Sequence, residues 1–420
     1  MELLEREASA RSVVYTFPHL TIQEFVAAFT QFLTVDPGNI VKFLTEAHSK
    51  TDGRFEVFLR FVAGLSSPQS ARILEEFLGP FPNDTTCRVI DWVKEEVQRQ
   101  ITNAGSEAGK RSLLNTLHYL FESKNPALPQ HILGSVETLS FSGLRMTPIG
   151  CAVLSHVISR CNTIKHLDLC SCGIQCEGLQ RLGPALHKCQ RLGLRDNDLG
   201  DSGVKLVSVA LRNRHCQIQA LWLDKVGLTD SGSEDLASAL STNHSLTELD
   251  LSDNKLGDLG VKLVSVALRN PDCKILRLGL DGVGLTDFGD EDLASALSIN
   301  PSLTQLGLGG NNLGDSGVKL VSAALGKPDC KILAPGLDKV GLTDSGAEDL
   351  ASALSTSPSL TVLDLTHNSL TDGCVPALCR LIRNHPSLEQ IMLGANQFSA
   401  DGRNQLQCLQ GIRTGLNVAV

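Results

Sequence analysis

Residues 192–213 read LGLRDNDLGDSGVKLVSVALRN. The phrase returns as LDLSDNKLGDLGVKLVSVALRN from Leu249 and as LGLGGNNLGDSGVKLVSAALGK from Leu306, so the copies start 57 residues apart. A second phrase interleaves with the first: LWLDKVGLTDSGSEDLASALSTNHSLT from Leu221, LGLDGVGLTDFGDEDLASALSINPSLT from Leu278, and PGLDKVGLTDSGAEDLASALSTSPSLT from Pro335. Self-similarity at such a fixed, short period is the signature of a solenoid, in which each unit supplies one layer of a continuous core.

Each unit opens with a short LxL segment of period two, which predicts a strand, and goes on to an amphipathic stretch of helical period. In 228–240, Gly232, Leu236 and Leu240 fall four apart on one face. Asp230, after Thr229, is expected to cap that helix by accepting from first-turn N–H groups. Asn197, Asn254, Asn311 and Asn368 each stand five residues after the first leucine. From there an asparagine amide is expected to bond the turn leaving its strand and the backbone of the next coil. A strand and a helix this short cannot enclose a core alone, so the units must stack.

Extending the register gives first positions at Leu139, Leu167, Leu192, Leu221, Leu249, Leu278, Leu306, Pro335, Leu363 and Ile391. Residues 136–410 thereby resemble the ribonuclease-inhibitor class of leucine-rich repeats, which alternates units of 28 and 29 residues. The resemblance implies an α/β fold, a ribonuclease-inhibitor-like horseshoe with parallel strands on the concave face and helices on the convex face. Val226, Val283 and Val340 replace the cysteine usual in that family's alternate units, an apolar exchange the core should accept. Pro335 removes a donor from a strand in mid-sheet, and a local defect is expected there. The step from Leu167 to Leu192 is only 25 residues, which predicts a shortened convex helix around 187–190.

The chain has 420 residues, 42% of them apolar and 20% charged, which allows one long solenoid and a smaller domain. A net charge of −9 disfavours a nucleic-acid partner. Three glutamates precede any apolar run at the N-terminus, unlike a secretory signal. The apolar stretch 13–35 carries His19, Gln23, Glu24 and Gln31 and does not read as a membrane span. The 13 cysteines follow the repeat, with Cys216, Cys273 and Cys330 at one register, and read as reduced thiols in the cytoplasm. Without a signal, the glycosylation patterns at Asn83 and Asn243 have no evident use.

Before the repeats, Thr21-Ile-Gln-Glu24 fits a capping box, and Phe25, Phe29 and Phe32 mark one helix face. Helices are expected over 39–48, 56–64, 69–78, 87–100 and 110–122, separated by the breaks Asp36-Pro-Gly38, Thr51-Asp-Gly53, Ser66-Ser-Pro68 and Gly79-Pro-Phe-Pro82. Asn125-Pro-Ala-Leu-Pro129 reads as the junction with the repeats, and 414–420 as a closing strand. Phe17-Pro-His-Leu-Thr-Ile-Gln-Glu-Phe-Val-Ala-Ala28 resembles the motif that closes the winged-helix domain of NOD-like receptors, the proteins that join a NACHT nucleotide domain to leucine-rich repeats. The segment from Arg54 resembles their second helical domain. The resemblance implies three parts: 1–35 as the end of the NACHT winged-helix region, 36–130 as a small all-α domain, and 131–420 as the solenoid. It also implies that His19 contacts the phosphate of ADP in a full-length parent, where ATP or ADP is expected.

No cofactor is expected in this chain itself. Gly105-Ser-Glu-Ala-Gly109-Lys110-Arg111 imitates a phosphate loop, but it has one residue too few between its glycines and no Ser or Thr directly after the lysine. Cys170, Cys172 and Cys176 lack the paired spacing of a zinc site, and no hydrolase motif appears, so neither a metal nor an enzyme is expected. The residues between and just after the strand leucines should face one side: Asp168, Arg195, Asp196, Trp222, Asp224, Lys225, Asp250, Asp253, Asp281, Asp338, Lys339, Asp364 and His367. Most are acidic, which suits a basic protein partner, and Trp222 is the large aromatic among them. Gly279, Gly307, Gly309, Gly310 and Gly336 are expected to leave much of that face flat.

The family resemblance implies the C-terminal portion of a cytosolic innate-immune receptor, in which the repeats sense ligand and hold a nucleotide domain inactive. No nucleic-acid or membrane role is implied. A different class fits the acidic face alone: a free-standing ribonuclease-inhibitor-like protein gripping a basic partner.

Overall fold

The register of the repeats is realised strand by strand. A computed structural model of the chain describes residues 4–6, 14–16, 19–33, 39–50, 52–287, 289–357, 359–412 and 414–420. Phe17 and Pro18 of the winged-helix motif, the Asp36-Pro-Gly38 break and Thr51 lie outside them. The chain divides into two units, Met1–Leu144 with Ile149–Ile164, and Arg145–Pro148 with Lys165–Val420.

The first unit is mainly helical: α1 (Leu20–Leu33), α2 (Ile40–His48), α3 (Glu56–Leu65), α4 (Pro68–Leu78), α5 (Asn83–Asn103), α6 (Glu107–Ser123), α7 (Leu128–Leu133) and α8 (Pro148–Ser159). Phe25, Phe29 and Phe32 do form one face of α1. Phe25 meets Phe61 edge-on at 5.4 Å, and Phe29 and Phe32 flank Phe81 at 5.8 and 5.5 Å. The capping box does not form as expected. Helix α1 starts at Leu20, which puts Thr21 inside it, and the His19 carbonyl takes the N–H groups of Ile22 and Gln23. Helix α5 begins at Asn83, four residues earlier than its apolar pattern suggests, because Thr85 is fully buried with the core. Proline occupies the first position of α4, where its missing N–H costs nothing.

In the second unit, three-residue strands such as Ala220–Trp222, Glu248–Asp250 and Arg277–Gly279 pair in parallel and in chain order, leucine opposite leucine. Leu192, Leu221, Leu249, Leu278 and Leu306 are nearly or fully buried, and helices on the far side close the core. The closing strand forms over Asn417–Ala419, against Gln390–Met392. Among the described residues no helix is long and apolar enough to cross a membrane.

The asparagines bond the turn leaving their own strand, as expected, but reach back to the preceding coil and not on to the next. Asn254 Oδ1 accepts from the N–H groups of Val226 and Leu228 at 3.1 and 3.0 Å, and its amide donates to the carbonyls of Leu223 and Leu251, both at 2.8 Å. It thus satisfies the turn of the preceding coil. Asn311 and Asn368 repeat the pattern on Val283 and Val340. This accounts for the alternation of Asn and Val. A valine coil cannot serve its own turn, so the asparagine of the following coil does. In return, the Val226 carbonyl accepts from Leu199 and Gly200 of the coil before.

A second ladder runs along the helix starts. Asp201 accepts from both the N–H and the hydroxyl of Thr229, each at 2.8 Å, and Asp258 and Asp315 do the same for Thr286 and Thr343. Thr229 holds the cap position and accepts from the Ser231 N–H at 3.3 Å, and Asp230 accepts from the same N–H at 2.9 Å as expected of it. Gly232 is required by this ladder, since a Cβ there would lie 2.5 Å from Asp201 Oδ1. The short step after Leu167 does not shorten a helix either. Cys176–Leu186 is as long as Asp230–Leu240, and the missing residues come from the turn, which spans only 187–188 before the strand Cys189–Gly193.

Pro335 has the local effect expected of it. The strand Ala334–Gly336 pairs fully with Gln305–Gly307, but with Val362–Asp364 only through Gly336 opposite Asp364.

Candidate interaction surface on the repeat sheet

In a strand of period two the buried leucine turns its two neighbours to the opposite face, so every coil presents one residue on each side of its first position there. The row after the first leucine runs, in register, Gly193, Trp222, Asp250, Gly279, Gly307, Gly336, Asp364 and Met392. Asp168 holds the same position in the coil before Gly193. Two strand positions further along come Arg195, Asp224, Asp281 and Asp338. Asp196, Lys225, Asp253, Lys339 and His367 sit one residue on, where these coils turn through a left-handed φ of 54–57°. After glycine, which Gly282 and Gly310 supply in two coils, Asn and Asp tolerate that conformation best, so turn geometry by itself accounts for Asp196 and Asp253.

The carboxylates differ in what they meet. Asp224 is buried and pairs with Arg195 at 2.8 Å, and Asp253 meets Lys225 at 3.7 Å. Asp168, Asp250 and Asp364 each accept the N–H two residues on. Asp281 accepts from the Gly309 N–H at 2.7 Å and from the Ser252 hydroxyl at 3.2 Å. Asp250, Asp281, Asp338 and Asp364 make no ion pair among the described residues. Burial pushes Asp224, Asp281 and Asp338 above the ordinary carboxylate range. Neighbouring carboxylates add to this: Asp250 on Asp224, Asp338 on Asp281, and Asp364 on Asp338.

The glycines do not leave the face flat. The carboxylates of Asp250, Asp281 and Asp338 occupy the space that side chains at Gly279, Gly307 and Gly309 would fill. Gly336 alone in that row is open, with nothing nearer than 3.7 Å to a Cβ placed on it. The result is a groove of about 430 Å³, floored by Gly279, Gly307 and Gly336 and edged by Asp250, Asp281, Asp364 and Met392.

Trp222 lies at the other end of the face in company that the sequence reading passed over. Arg191 lies over its ring at 5.4 Å, His166 meets it edge-on at 5.4 Å, and its indole N–H donates to Glu248 at 3.0 Å. Glu248 also pairs with Arg277. His166, Arg191, Glu248 and Arg277 all stand just before a first leucine. Period two assigns that position to the same face, so the signal was present in the sequence.

His19 belongs to the first unit and is exposed at the start of α1. That unit also holds a buried polar cluster with no sequence signature. His48 Nε2 lies 3.1 Å from Glu96 and 3.0 Å from the Ser112 hydroxyl, and its Nδ1 lies 3.2 Å from the Tyr119 hydroxyl. Burial alone would raise the Glu96 pKa. Bonds from His48, Gln100 and Arg99 outweigh it and bring it down to about 2. Serine and glutamate meet the same imidazole nitrogen, so the cluster lacks the relay of a hydrolytic triad. Among the described residues no group of His, Cys, Asp and Glu is arranged to hold a metal ion.

Residues 19–131 match the family model described as NLRC4 helical domain HD2. Residues 160–183, 242–265, 300–322 and 356–379 match the model of a leucine-rich repeat. The chain is 38% identical over 288 residues to NACHT, LRR and PYD domains-containing protein 3 of Rattus norvegicus, covering 68% of this chain and 27% of that protein. Against the Bos taurus protein of the same name, identity is 28% over 532 aligned positions, covering 100% of this chain and 51% of the relative. NACHT, LRR and PYD domains-containing protein 14 of Homo sapiens is 39% identical over 245 residues, covering 58% of this chain and 22% of the relative. The chain thus spans between about a quarter and a half of the length of these relatives.

Proposed function

We propose, for a chain that belongs to the NOD-like receptor family and corresponds to its C-terminal portion, that the repeat sheet receives a protein partner and through it regulates a NACHT domain. The protein-interaction role is carried by the family and the repeats. Ligand sensing and autoinhibition are the finer part of the proposal. One observation supports it most: Trp222 stands among His166, Arg191 and Glu248 on the same face as Asp250, Asp281 and Asp364, which make no ion pair among the described residues. Large aromatics supply much of the energy of protein interfaces, and unpaired like charges favour a partner of opposite sign. The face therefore fits a partner with a basic surface. The match of residues 19–131 to a receptor helical domain favours this reading over a free-standing ribonuclease-inhibitor-like protein. On the same reading the chain works in the cytoplasm and catalyses nothing. ATP or ADP is handled by a NACHT domain, with His19 reaching the nucleotide only beside that domain.

The test is association of the 420-residue chain with a purified NACHT region from the rat relative, followed by biolayer interferometry at two salt concentrations. The expected result is binding that weakens with salt and falls at least tenfold with Trp222→Ala or Asp338→Lys. Binding that ignores both substitutions would remove the sheet face from the proposal.

A further inference from the structure

The chain carries a net charge of −9, yet the charged residues lining one pocket of its helical unit are all cationic. Lys124, His156 and Arg160 line it together with Gln69, Phe121 and Pro126, around a volume of about 300 Å³. No carboxylate shares that lining. Glu122, the acid closest in effect to Lys124, lines a separate pocket with Phe25 and Arg60. Neither Lys124 nor Arg160 makes an ion pair among the described residues. Both follow a helix C-terminus, α6 and α8 respectively, where a cation is favoured in any protein. His156, in the last turn of α8, completes the basic lining, and burial together with Arg160 holds its pKa below the ordinary imidazole range, so Lys124 and Arg160 carry the charge. The pocket also reaches the first turn of α4, at Gln69. Ser67, at the cap position of α4, gives that turn no side-chain bond; its carbonyl accepts from the Ser70 and Ala71 N–H groups and Pro68 has no N–H, which leaves the Gln69 N–H at the helix start.

One wall is aromatic. Phe121 and His156 meet edge to face, with ring centroids 4.8 Å apart. The volume lies at the lower end for small-molecule sites, enough for a compact ligand and too little for a large one. Two permanent cations match the charge of a phosphomonoester, about −1.5 to −2 at neutral pH, better than that of a carboxylate. The Gln69 N–H at the start of α4 suits a phosphate oxygen.

We propose that this pocket binds a small organic phosphomonoester whose phosphate lies between Lys124, Arg160 and the start of α4, and whose flat organic group packs on Phe121 and His156. The inference is independent of the role assigned to the repeat sheet.

The experiment is calorimetry on the whole 420-residue chain with phenyl phosphate, inorganic phosphate and benzoate as probes. Phenyl phosphate is expected to bind saturably and more tightly than either of the others. Lys124→Gln and Arg160→Gln should each weaken it roughly tenfold, the usual effect of losing a charge-assisted hydrogen bond. Phe121→Leu should remove the advantage of phenyl phosphate over inorganic phosphate while leaving the latter unchanged. Lys124 and Arg160 are exposed, so their variants should keep the wild-type circular dichroism. The proposal is overturned if neither phosphate binds saturably, if both charge variants bind as wild type, or if benzoate or inorganic phosphate equals phenyl phosphate.

Discussion

Asn254 carries more of the solenoid than its size suggests. Replacing it by valine, the residue its neighbouring coils use, would leave the N–H groups of Val226 and Leu228 and the Leu223 carbonyl without partners in a dry interior. At about 1–3 kcal/mol for each orphaned group, partly relieved by relaxation, Asn254→Val should cost roughly 3 kcal/mol, read from urea unfolding. A loss below about 0.5 kcal/mol would mean that the ladder is ornamental. Glu96 makes a second prediction at this scale. Its pKa is lowered in the folded state to about 2, so its contribution is present above the ordinary carboxylate range and is lost as pH falls from about 5 towards 2. In a Trp222→Phe background, Trp92 fluorescence should report acid loosening of the helical unit over that window, and Glu96→Gln should abolish the pH dependence. An unchanged acid profile in Glu96→Gln would assign the transition elsewhere. Which side chains serve which coil was not readable from sequence. The partners of Asn254 and Asp201 in the neighbouring coil lie 26–31 residues away, and the identical repeats leave two directions equally consistent with the spacing.

Strands, helices and the valine-for-cysteine exchange were legible because the apolar pattern repeats and the leucines mark the core directly. Helix starts were less so. The start of α5 lies outside its apolar run and is fixed by the burial of Thr85, a polar residue. The turn at 187–188 absorbed a deletion that spacing alone assigned to a helix, because the helix must keep its length to cover the strand beneath it. Pro335 gives the element-scale prediction. Pro335→Leu supplies the missing N–H and should extend the pairing of 334–336 with 362–364, adding about 1 kcal/mol of stability. A destabilised variant would show that neighbouring coils have shaped themselves around the proline ring.

Stacked coils held by two ladders form a structure in which each layer depends on its neighbours, and the face such a lattice presents is set by positions free of core duty. Half of the candidate surface was legible for that reason: residues after the first leucine are on the sheet face by parity. The residues before it, His166, Arg191, Glu248 and Arg277, obey the same parity and complete the surroundings of Trp222. The carboxylates that lean over the glycines were not legible, since a glycine in sequence signals space and not what fills it. The most direct measurement of the central claim is hydroxyl-radical footprinting of the chain alone and with the NACHT region bound. The account predicts protection of Trp222, His166 and Met392 on the sheet face, with Val209 and Val266 on the helices unchanged. Protection of the helix valines with Trp222 as reactive as before would contradict it.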